Sequence, residues 1–98
     1  MKHPAVDNVV AEQLLTGNTD AQIAALDAIS VREPSAALGA ALQHAALSAA
    51  DPRARMKAVE IMGQWLPKRP ELRESLAAVA EKDTRSQVRQ AAKHALGS

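Results

Sequence analysis

The chain has 98 residues, 47% of them hydrophobic, with twelve basic and eleven acidic side chains for a formal net charge of +1. A length of this order suits one domain with one core. The balanced charge excludes a global field that would draw in polyanions. The lack of cysteine excludes disulfides, thiolate metal sites and cysteine nucleophiles and fits a reducing compartment such as the cytoplasm, and no apolar run approaches the roughly 20 residues of a membrane span.

Twenty-two alanines and ten leucines stand beside one Trp and no Phe or Tyr, a composition that favours helices over strands from end to end. Met1-Lys2-His3-Pro4 runs directly into a helical pattern containing Asp7, Glu12 and Gln13, which does not read as a signal peptide. Pro4 opens a first predicted helix over about 4–16, with Val6, Val9, Val10 and Leu14 on one face and Gly17-Asn18 closing it. Thr19 and Gln22 form a capping-box pair ahead of Ile23, Leu26 and Ile29, so a second helix is expected over about 19–30. Pro34 breaks the chain at 31–33 and starts a third, reaching about Ala49 with Leu38, Leu42, Ala45 and Ala49 inward; His44 is expected in a groove between helices.

Asp51-Pro52 marks the clearest start in the chain, since Asp51 can cap free backbone donors and Pro52 needs none. The helix that follows carries two apolar stripes, one through Ala54, Ala58, Ile61, Met62 and Trp65 and one through Met56, Val59, Gly63 and Leu66. Two stripes call for neighbours on two sides, which places this helix inside a stack. A stop at Pro67 and a restart at Pro70 lead to a fifth helix with Leu72, Leu76, Val79 and Ala80 inward. Asp83-Thr84 and Gln87 repeat the capping logic before a sixth, whose Val88, Ala91, Ala92, Ala95 and Leu96 share a face that ends at Gly97. The expectation is six helices in three antiparallel hairpins over about 4–31, 34–66 and 70–97, all within one domain.

Asn18-Thr19-Asp20-Ala21-Gln22-Ile23 matches Asp83-Thr84-Arg85-Ser86-Gln87-Val88 in type at most positions. Ala54-Arg55 and the following Ala58, Ile61, Met62 and Gly63 match Val88-Arg89 with Ala92, Ala95, Leu96 and Gly97, 34 residues on. A period in this range belongs to helical solenoids. The stretch from Asp83 to Gly97 resembles the second helix of a HEAT repeat, in the short bacterial form of phycobilin-lyase-type proteins, and Asp51-Pro52-Arg53-Ala54-Arg55 is similar. The first repeat departs from the pattern at Ala24 and Asp27, as a terminal cap would. The resemblance implies a right-handed α-α superhelix and a ladder pairing Asp51 with Arg55 and Asp83 with Arg89. Tetratricopeptide repeats share the period, but their aromatic and Gly-Tyr positions are absent.

No catalytic pattern emerges. His3, His44 and His94 lack metal-ligand spacing, no Gly-rich phosphate loop or Gly-x-Ser-x-Gly occurs, and neither an enzyme nor a cofactor is expected. The candidate binding residues are Arg53, Lys57, Arg85, Arg89 and Lys93, which would line the concave wall formed by the second helices, facing Asp20 and Asp27 at its other end. Trp65 is read either as core or as a partner-binding anchor. These features point to a non-catalytic scaffold or adaptor for a protein partner with an acidic surface. Two alternatives are a nucleic-acid-binding helical repeat and a small regulator or immunity-type inhibitor of an enzyme.

Overall fold

A computed structural model describes residues 18–97, which form five helices and no strand. They are α1 (Thr19–Ser30), α2 (Ala36–Ser48), α3 (Pro52–Trp65), α4 (Leu72–Lys82) and α5 (Ser86–Ala95). The helix expected over 4–16 lies outside the described residues, so five of the six expected helices are placed.

Local chemistry accounts for most of the helix ends. Asn18 caps α1 by accepting the Ala21 N–H at 2.9 Å, one residue before the expected cap at Thr19. The Ser35 hydroxyl accepts the Leu38 N–H and starts α2, while Asp51 accepts the Arg53 N–H at 2.8 Å and Pro52 opens α3 as expected. Helix α4 begins at Leu72 rather than Pro70, because Leu72 and Arg73 first donate to the Arg69 and Pro70 carbonyls in a tight turn. Helix α5 likewise starts later than the Asp83-Thr84 pair suggests. The Asp83 carboxylate accepts the Arg85 N–H, leaving Arg85 at the cap position without a side-chain cap bond of its own. At the far end Gly97 has φ 93, a left-handed conformation that a side chain would strain.

The α2–α3 and α4–α5 hairpins pack on each other, with α2 against α4 in one layer and α3 against both α1 and α5 in the other. Helix α3 thus has neighbours on every inward side, and Ala54, Ala58, Val59 and Met62 are fully buried. Leu26, Ile29, Leu38, Leu42, Leu72 and Leu76 fill the space between the layers. The core holds no buried polar or charged residue among those described. Close approach of α3 and α5 depends on Gly63, where an added Cβ would stand 2.8 Å from the Ala95 Cβ. His44 is exposed rather than set in a groove, because the inward arc of α2 is already filled by Leu38, Ala41, Leu42 and Ala45.

Candidate functional site

The layer of α1, α3 and α5 presents a groove of about 530 Å³ that all three helices line. Its floor is apolar: Ile23 from α1, Met56 from α3 and Val88 from α5. Its rim is charged or polar, with Arg53, Lys57 and Glu60 on α3 and Arg85 and Gln87 at the start of α5. A second trough of about 790 Å³ continues between α3 and α5, sharing Glu60 and Gln87 with the first and lined farther on by Gln64, Gln90 and His94.

The expected cations are divided by the fold. Arg53, Lys57 and Arg85 gather around the groove, but Lys93 is exposed and lines neither trough. Helical rotation separates them, since Gln87, Gln90, Ala91 and His94 are the α5 positions turned toward α3. Arg53 donates to both Asp51 carboxylate oxygens, at 3.2 and 3.0 Å, and Lys57 forms an ion pair with Asp27 across the α1–α3 boundary. Both pairs are solvent-accessible and weakly held. The hydrogen bonds from the Arg53 guanidinium, then from its N–H, keep the Asp51 carboxyl below the ordinary carboxylate range against a smaller opposing effect of burial. The same contact raises Arg53. Arg85 is exposed, and its side chain makes no ion pair among the described residues.

The ladder pairing differs from the one expected. Asp51 engages Arg53, its near neighbour, and Arg55 reaches forward to Asp83 in the next hairpin, with Nε–Oδ2 at 2.8 Å and Nη2–Oδ1 at 3.3 Å. Arg55 also donates to the Ala49 and Ala50 carbonyls at the end of α2. Arg89 donates to the Asp83 carbonyl at 2.7 Å rather than to its carboxylate. Arg55 on the Ala49 carbonyl and Arg89 on the Asp83 carbonyl are the same contact, 34 residues apart. Each arginine satisfies the C-cap carbonyl of the preceding helix, and Asp83 adds a carboxylate that ties the two hairpins together. The spacing of the arginines hinted at the first role; nothing local to Arg55 signals a partner 28 residues away.

Trp65 is only 5% exposed and belongs to the core at the end of α3, so as folded it is not a surface anchor. Its indole completes the stripe through Ala58, Ile61 and Met62. The sequence reading missed the groove floor, because Ile23, Met56 and Val88 come from three helices and look like ordinary core positions in each. Among the described residues no cluster of three His, Asp or Glu side chains could hold a metal ion, and no helix is long and apolar enough to cross a membrane. Comparison of the chain with profiles of known protein families, with curated proteins and with solved structures finds no match.

Proposed function

We propose that the protein is a non-catalytic interaction module, a HEAT-like right-handed superhelix of three hairpins that binds a protein partner along the groove of α1, α3 and α5. The observation that carries this reading is the groove itself, with an aliphatic floor drawn from three helices and charged groups at its edge. Repeat layers bury their core against neighbours and leave one long face free, which suits binding. The recurrence of the Arg55 and Arg89 contacts at one spacing supports a repeat architecture. A chain without cysteine suits work in the cytoplasm. Nucleic acid is the weaker partner, because the sole Trp is buried and two of the three groove cations are engaged by carboxylates.

The test is affinity capture from source cells with the wild type and with Met56→Glu, which sets a charge in the groove floor. A partner held by the wild type and lost from a variant that stays folded by circular dichroism is the expected result, Met56 being half-buried against the core. Equal capture by both proteins would move the binding face elsewhere. A steep fall of duplex DNA affinity with salt, eased by Arg85→Glu, would favour nucleic acid instead.

A further inference from the structure

We draw no further inference here: the strongest candidate, the basic surface stripe that runs from Arg85 at the cap of α5 through Arg89 to Lys93, carries nothing, because Arg89 is held on the Asp83 carbonyl and nothing in the structure shows what covers the exposed pair that remains.

Discussion

Replacing Arg55 by Met should unseat the junction between the α2–α3 and α4–α5 hairpins. The Arg55 and Asp83 side chains are 12% and 5% exposed, and three groups depend on the guanidinium: the Asp83 carboxylate and the carbonyls of Ala49 and Ala50. Removing one member of a buried ion pair costs about 3–5 kcal/mol, because the other charge is left uncompensated. Asp83 retains the Arg85 N–H, and Arg55 keeps some contact with water, so a loss of about 2–4 kcal/mol is expected. At about 4–8 °C per kcal/mol for a chain of this size, a loss of about 3 kcal/mol lowers Tm by roughly 12–24 °C. Urea unfolding of Arg55→Met, Asp83→Asn and the double variant isolates the pair, with an expected coupling above about 1 kcal/mol. Arg55→Lys should rescue poorly, since a point charge cannot reach carbonyl and carboxylate together. A loss below about 0.5 kcal/mol, the range of ordinary surface sites, would refute the view that this contact joins the hairpins.

Met62→Ala, at a position with no exposure in the most enclosed helix, should cost about 2–5 kcal/mol in urea unfolding; a surface-like loss would remove α3 from the centre. Gly63→Ala should destabilise by about 1–3 kcal/mol through its clash with Ala95. Gly39→Ala, which meets only Leu72 at 3.8 Å, should be neutral or gain up to about 1 kcal/mol in helix propensity. The Asp51 carboxyl is held below its ordinary value in the folded chain, so its contribution is present above the unfolded pKa and lost as pH falls through the folded one. Wild type and Asp51→Asn should therefore differ in Tm at neutral pH and converge in acid, and a difference that persists below both pKa values would contradict the assignment.

How much was legible follows from the range of the interactions concerned. The bounds of α1 and α3 and the burial of Met62 were readable because caps, Pro52 and apolar spacing act within a few residues. The later starts of α4 and α5 were not, since turn hydrogen bonds at 69–73 and 83–85 compete with helical ones there. At the site, Arg53, Lys57 and Arg85 line one groove. The partners of Arg53 and Lys57 and the displacement of Lys93 depend on helix rotation, which period alone leaves open. Arg55 found Asp83 rather than Asp51 because the hairpin contact brings a distant carboxylate closer to its guanidinium than the local one.

Site-directed photo-crosslinking addresses the groove as a binding face most directly. A photoreactive benzoylphenylalanine placed at Gln87, in the groove, is compared with one at Ala77, exposed on α4 in the opposite layer. The expected result is a discrete partner adduct from position 87 that Arg85→Glu diminishes, with none from position 77. A partner adduct of equal yield from both positions, or from position 77 alone, would contradict the assignment of this face as the one that binds.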